Sequence, residues 1–145
     1  MLRTHAAATK QLDAELLSSH AISLSSYEVL LHLDGAEDGQ MRMCELAELA
    51  TLSRSGLTRL VDRLAREELL VRQSCPSDAR GSYASLTIAG RERLVEARPT
   101  HIEGVRRVFL SHLSAAEQQA LAECWAKLLP ASELEAGPAC SESTG

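Results

Sequence analysis

The chain has 145 residues, of which 45% are hydrophobic but only 3% aromatic, and its formal net charge is −5. This length fits one domain with a modest core, and the shortage of aromatic residues argues against a sandwich or barrel of aromatic-rich strands. No apolar run is long enough to cross a bilayer or to act as a signal sequence, so we expect a cytoplasmic protein without membrane contact.

The first third of the chain predicts short helices separated by polar loops. Residues 1–17 carry leucines and alanines at helical spacing, and a loop is expected around residues 18–24. Ser25 and Glu28 stand three apart before an apolar run, which predicts a capping box at the start of a second helix that ends near Gly35. After the polar stretch GAEDGQ, the segment MRMCELAELA (residues 41–50) predicts a third helix, and only TLS separates it from the next one.

The segment 53–81 contains six arginines, four acidic residues and no lysine, although the protein as a whole is acidic. Ser53 is a candidate N-cap, and the apolar residues that follow it recur at helical spacing to form one stripe against the core. Two short helices joined by a tight turn fit a helix-turn-helix, whose second helix enters the major groove of DNA. An ordinary amphipathic helix with a solvated charged face is the alternative. The stripe comprises Leu57, Leu60, Val61 and Leu64, and the side chains placed to reach base edges and phosphates are Arg54, Ser55, Thr58 and Arg59.

After this helix the spacing of apolar residues no longer fits a helix. LLVRQSC and SYASLT are short extended runs separated by turn residues from Pro76 to Gly81, and they predict a β-hairpin. A hairpin directly after a helix-turn-helix forms a wing. Arg80 near its tip is placed to enter the adjacent minor groove, where negative potential attracts guanidinium groups, and Asp78 can hold an arginine in orientation. An exposed turn with an incidental charge pair is the alternative, which this order of elements disfavours.

Three motifs between residues 53 and 90 form a specific combination: SRSGLTRLVDRLAREELLVR at 53–72, Asp78 with Arg80 in the wing, and LTIAG at 86–90. Together they resemble the MarR family of bacterial transcription regulators. The resemblance implies a homodimeric repressor that binds double-stranded DNA at a palindromic operator and is released by a small aromatic or lipophilic ligand. The chain departs from the family at Ala79, where many members carry a further arginine, and at REELL (residues 66–70), which replaces the usual glycine. The implied DNA contacts are Ser53, Arg54, Ser55, Thr58, Arg59 and Arg80.

The C-terminal third predicts the helices of a dimerisation lobe. Thr87 can open a long helix that is interrupted or bent at Pro99, and Ser114 with Glu117 forms a capping box before a last helix that Pro130 ends. Because these apolar faces exceed what one small lobe can bury, we expect a second subunit. The predicted fold class is therefore mainly α with a small β-hairpin wing, as a winged helix-turn-helix plus a helical dimerisation lobe. The predicted bounds are one domain over 1–131, with a DNA-binding lobe at about 25–90 and dimerisation helices at about 1–18 and 88–130, then a mobile tail over 132–145.

By resemblance, a ligand cleft lies between the two lobes. The first, second and long C-terminal helices would line it, and four residues are candidates to present polar groups there, with an ordinary core or surface role as the alternative for each. No ligand spacing, catalytic triad or phosphate loop is found, so we expect no metal, no cofactor and no enzymatic activity. The candidate ligand-binding residues are Tyr27, His32, Arg98 and His101.

The four cysteines show no C-x-x-C pairing, so the sequence indicates neither a disulfide framework nor a zinc knuckle, and free thiols are expected. Two of them keep other functions open. Cys44 lies near a helix start and near Arg42, and Cys75 lies next to the wing, positions that suit a thiol-based redox sensor. A winged-helix module for protein contacts without DNA binding, or a thiol enzyme built on Cys44, are further alternatives.

Overall fold

The chain folds into helices around a small sheet. A computed structural model describes residues 2–75 and 78–128, without the side chains of residues 2, 75 and 78–81. Among the described residues, no helix is both long and apolar enough to cross a membrane. Pro130 and the predicted tail over 132–145 lie outside the described residues. The elements are α1 (Leu2–His20), α2 (Leu24–Gly35), β1 (Gln40–Arg42), α3 (Met43–Leu49), α4 (Arg54–Arg66), β2 (Leu70–Cys75), β3 (Asp78–Leu86), α5 (Ile88–Val108) and α6 (Ala115–Leu128).

The sheet is antiparallel, with the strand order β1-β3-β2. β2 and β3 form the predicted hairpin, in which Val71 pairs with Ser85, so the mainly α fold with a β-hairpin wing is confirmed. β1 was not predicted, and the helix expected over residues 41–50 begins only at Met43. Met41 instead pairs with Ala84 of β3. Because this partner stands more than forty residues away in sequence, the local helical pattern gave no sign of it.

The core of the winged helix lies where α2, α3 and α4 meet the sheet and α5. Leucines dominate it. α1 crosses α5 at Gly104, where a Cβ atom would lie only 2.6 Å from Leu12 Cδ2, so the missing side chain lets the two helices approach closely. Glu15 of α1 and Arg107 of α5 form an ion pair across the same crossing. The fully buried large side chains are Tyr27, Leu16, Ile22, Leu30, Leu33, Leu46, Leu57, Leu64, Leu70, Leu94, Val29 and Val61.

The predicted starts of α5 and α6 agree with the structure, and that of α2 does not. Thr87 caps α5 as predicted, since its side chain accepts a hydrogen bond from the Gly90 N–H. The predicted capping box of α6 is confirmed by reciprocal bonds between Ser114 and Glu117, which also lower the pKa of the Glu117 carboxyl. The box predicted at Ser25 is wrong: the N-cap of α2 is Ser23, whose side chain accepts from the backbone N–H of Ser26.

One prediction about helix length is wrong: α1 continues through His20 instead of ending near residue 17. α5 runs through Pro99 as one helix, so the interruption, one of the two alternatives predicted there, does not occur. Pro99 lacks a backbone N–H, so one hydrogen bond of α5 is absent at that point, although the helix continues and packs against α1 and α2.

α3 and α4 both end in a left-handed residue that is not glycine. Thr51 has φ 53° after α3, and Glu68 has φ 60° after α4. At the end of α4, the Glu68 N–H donates to the Ala65 carbonyl and the Leu69 N–H donates to the Leu64 carbonyl, which is the Schellman arrangement. REELL therefore preserves the turn into the wing with a glutamate in the conformation that glycine usually supplies.

Candidate nucleic-acid interface

α4 presents one polar face to solvent. Ser53 caps it by accepting a hydrogen bond from the Gly56 N–H at 3.1 Å, and Leu57, Val61 and Leu64 are buried as predicted. An α-helix advances by about 100° per residue. The exposed side chains opposite the buried stripe are consequently Ser55, Arg59, Asp62 and Arg66.

The first turn of α4 concentrates hydrogen-bond donors. Arg54 is exposed, and the hydroxyl of Thr58 donates to the Arg54 carbonyl at 2.9 Å. The hydroxyls of Ser53 and Ser55 lie 3.4 Å apart. The positive end of the helix dipole and the guanidinium of Arg54 coincide here, and both favour a phosphate group. The structure thus brings together the five residues predicted on this helix, Ser53, Arg54, Ser55, Thr58 and Arg59.

An ion pair joins α4 to the wing. Arg72 of β2 lies 3.4 Å from the Asp62 carboxylate and 3.5 Å from the Ser82 hydroxyl. Both charged side chains are about half exposed, so the pair contributes only a fraction of a kcal/mol and mainly orients the base of the hairpin. The side chains of the predicted wing residues Asp78 and Arg80 lie outside the described parts, so their roles remain predictions. Sequence reasoning missed the pairing of Asp62 with Arg72, because no periodicity relates a helix to the strand that follows it.

The arginines of the segment 53–81 divide into two groups. Arg63 donates to the Ser26 hydroxyl at 2.7 Å, and Arg66 donates through Nε to the Asp62 carbonyl at 3.2 Å. Arg72 is paired as described above. Arg54 and Arg59, in contrast, make no hydrogen bond or ion pair with the described residues. These two guanidinium groups are therefore the described cations of the segment that remain available to a polyanion.

Three of the four predicted ligand residues meet between α2 and α5. The rings of Tyr27 and His101 lie 4.5 Å apart, and Arg98, whose charge opposes the rise in the Tyr27 pKa, pairs with Asp34 at 3.5 Å. Burial raises the pKa of Tyr27 and lowers the pKa of His101. His101 Nδ1 is buried and has no hydrogen-bond partner within the described structure.

His32 does not join this group. It lies about 140° around α2 from Tyr27, because five residues separate the two positions. Its side chain is half-buried, and burial lowers its pKa. Glu28 is half-buried too, and its pKa is raised by burial and lowered to a lesser degree by the charge of His5.

The cysteines correct one expectation. Cys44 is disulfide-bonded, so the expected free thiol at this position is wrong, whereas Cys124 is free and exposed. The side chain of Cys75 lies outside the described parts. Among the described residues, no group of three or more histidine, cysteine or acidic side chains is arranged to hold a metal ion.

Known proteins share both the sequence pattern and the fold of this interface. A family model described as the MarR family matches residues 22–81, the span from α2 into β3. The crystal structure of Sco3205, a MarR family transcriptional regulator from Streptomyces coelicolor in complex with DNA, superposes with a TM-score of 0.81 and 30% identity over 93% of this chain and 86% of that one. The chain belongs to the MarR family.

Other MarR relatives extend the match over most of the chain. AbsC, a MarR family transcriptional regulator from Streptomyces coelicolor, is 31% identical with a TM-score of 0.78, over 92% of this chain and 88% of that one. The HTH-type transcriptional regulator YxaD of Bacillus subtilis is 35% identical over 68% of this chain and 67% of that protein. The match to YkoM of the same species is also 35% identical but spans only 53% of that protein's length. The protein is thus a MarR-family helix-turn-helix transcriptional regulator.

Proposed function

We propose that this MarR-family protein is a homodimeric repressor that binds a palindromic operator in double-stranded DNA and is released by a small ligand. The observation that carries the proposal is the exposed surface of α4, where Arg54 in the first turn and Arg59 on the face opposite the buried stripe are free of partners in the described structure. In the structure of Sco3205, which is 30% identical, the protein is bound to DNA. α4 would enter the major groove, and Arg80 of the wing would enter the adjacent minor groove.

The apolar surface of the C-terminal helices supports the homodimer. No residue of α6 is buried, and Trp125 and Leu128 are 47% and 68% exposed. An apolar depression of about 500 Å³ along α5 contains Val95, Pro99 and Ile102, between arginine and glutamate side chains. A second subunit related by a twofold axis would cover these faces and would place the two α4 helices about one turn of DNA apart.

The cluster between α2 and α5 supports ligand release. Arg98 supplies a charge and His101 supplies an unsatisfied ring nitrogen, beside the buried ring of Tyr27. A planar acidic molecule would satisfy the nitrogen and stack on the rings. Because α5 follows the wing and α2 begins the helix-turn-helix, a ligand wedged between them would change the distance between the two α4 helices of the dimer. His32, on another side of α2, contributes at most from a separate surface.

The decisive experiment measures DNA binding by fluorescence anisotropy on the tightest duplex selected from a random-sequence pool. Arg59→Ala is expected to weaken binding by about 1–3 kcal/mol, because it removes a guanidinium from the exposed face of α4 that is proposed to contact the bases. The matched control is Arg3→Ala, which removes an exposed arginine from α1 with the same change in net charge. Equal losses in both variants would show that net charge, and not the α4 face, carries binding, and selection of no duplex would refute the proposal.

A thiol-based release is the second candidate, and the disulfide of Cys44 favours it. In a reducing cytoplasm this bond would be open, and oxidation would close it in the first turn of α3, the helix that packs against α4. Titrating the same duplex with and without reductant tests this candidate. An affinity that depends on reductant in the parent and not in Cys44→Ser supports it, whereas equal affinities in both states rule it out.

A further inference from the structure

The N-terminus of α2 contains a buried hydroxyl group. Ser26 is only 2% exposed, and it is the one polar residue among the buried residues of the described chain. Its hydroxyl lies 2.7 Å from that of Ser23, the N-cap of α2, and its backbone N–H donates to Ser23 Oγ at 3.1 Å. A buried hydroxyl needs hydrogen-bond partners, so the side chain that satisfies it is constrained in turn.

That partner comes from the recognition helix. Arg63 of α4 donates through Nη2 to Ser26 Oγ at 2.7 Å and to Ser23 Oγ at 3.3 Å. Arg63 lies about 60° around α4 from the centre of the exposed face, on the flank towards α2. The apolar stripe of α4 is non-directional and permits the helix to roll, whereas a charge-assisted bond at this flank fixes its rotation.

A third helix reaches the same point. Asp13 of α1 accepts a hydrogen bond from the Leu24 N–H at 2.8 Å, which satisfies a backbone group in the first turn of α2. α1 also packs along α5, to which Glu15 is ion-paired. The N-terminus of α2 is therefore bonded on one side to α1 and on the other side to α4.

We propose that Arg63 is a positioning residue: it sets the rotation of α4 against α2 through Ser26 and is not itself a contact to DNA. The Asp13 bond makes this junction the place where a displacement of α1 reaches the recognition helix. This role rests on the proposed DNA binding. It also separates Arg63 from Arg54 and Arg59, although all three belong to one arginine-rich segment.

The test combines Arg63→Ala and Ser26→Ala in a double-mutant cycle, with operator affinity measured across salt concentrations. Ser26 is buried and cannot touch DNA, so its loss affects affinity only indirectly, through Arg63 and the Ser23 cap that it bonds. Each single variant is expected to bind about two- to thirtyfold more weakly than the parent, and the double variant no more weakly than Arg63→Ala. The slope of log affinity against log salt should stay at the parental value, whereas loss of a phosphate contact reduces its magnitude by about one.

Two results would overturn the role. A reduced salt slope in Arg63→Ala with parental binding by Ser26→Ala would make Arg63 a phosphate contact. Parental affinity in both variants would show that the junction does not orient α4. Unfolding curves of all variants check folding, and Arg63→Lys, which keeps the charge but not the forked donor, replaces Arg63→Ala if that variant does not fold. Arg59→Ala in the same assay separates this role from the proposed function. If Arg59→Ala weakens binding while Arg63→Ala and Ser26→Ala bind like the parent, DNA binding by α4 is supported and the positioning role of Arg63 is rejected.

Discussion

α4 and α6 are both well-capped helices, but only α4 buries apolar side chains against the part of the chain that the structure describes. α4 buries Leu57, Val61 and Leu64 against the core, whereas α6 buries no residue and is joined to the preceding turn through bonds from Gln118 to the carbonyls of Leu110 and Leu113. The capping box of α6 shows that its local sequence suffices to start the helix. Local sequence therefore specifies a helix in both places, while only α4 has its apolar side chains buried among the described residues.

The largest effect is expected where α4 meets the core. Leu64→Ala should lower the free energy of unfolding by about 2–5 kcal/mol, because Leu64 is fully buried and the surrounding side chains cannot refill its volume. Urea denaturation followed by circular dichroism measures the change. A loss below about 1 kcal/mol would mean that the burial of Leu64 contributes little to stability, so that α4 would not differ from α6 in how strongly it packs against the chain.

The backbone just after α4 offers a second large effect. A Cβ atom on Gly90 would lie 1.9 Å from the Leu69 carbonyl oxygen, so Gly90→Ala forces α5 away from the end of α4 and should cost about 3 kcal/mol. Gly35→Ala is the matched control, since nothing lies within 4 Å of the added atom at the end of α2. Thermal unfolding of both variants measures the difference, and equal melting temperatures would contradict the close approach.

Trp125→Ala examines the other side of the comparison. If a second subunit covers α6, removing this half-exposed ring should weaken dimerisation by about 2 kcal/mol, the size typical of a central aromatic contact. Sedimentation equilibrium gives the dissociation constant directly. An unchanged constant would place the dimer contact elsewhere, and the helicity of the variant shows whether α6 itself has been lost.

The smallest effect concerns α5, which lies between the two regions. Burial lowers the pKa of His101, so the unfolded chain binds a proton more readily than the folded protein as the pH falls below about 6.5. The stability of the parent should therefore decrease from about pH 8 to about pH 5, and His101→Phe, which keeps a ring against Tyr27, should decrease less. Denaturation midpoints across this range measure the difference. Parallel profiles would show that His101 titrates alike in both states.

The comparison also shows what the sequence predicts well. Ser53, the stripe of α4, the β2–β3 hairpin and the capping box of α6 depend on residues close in sequence, and all were predicted. The exposed residues of α4 followed from the same periodicity.

Features that depend on distant partners were not predicted. β1 exists because β3 pairs with it, and the cap of α2 falls at Ser23, next to the Leu24 N–H that Asp13 holds. Within the interface, the pairing of Arg72 with Asp62 and of Arg63 with Ser26 depends on which elements become neighbours after folding. The sequence alone does not distinguish these arginines from one another. Only the tertiary structure shows which of the described ones are paired and which are free.

The left-handed residues Thr51 and Glu68 stand at the turns on either side of α4. A residue with a side chain costs about 1 kcal/mol or more relative to glycine in this conformation. Part of that difference is offset because glycine has more backbone entropy to lose on folding. Neither residue is among those proposed to contact DNA. Replacing both residues with glycine should therefore stabilise the protein. This added stability could offset the destabilisation caused by new side chains at positions 54, 55 and 59 when the specificity of the regulator is redesigned.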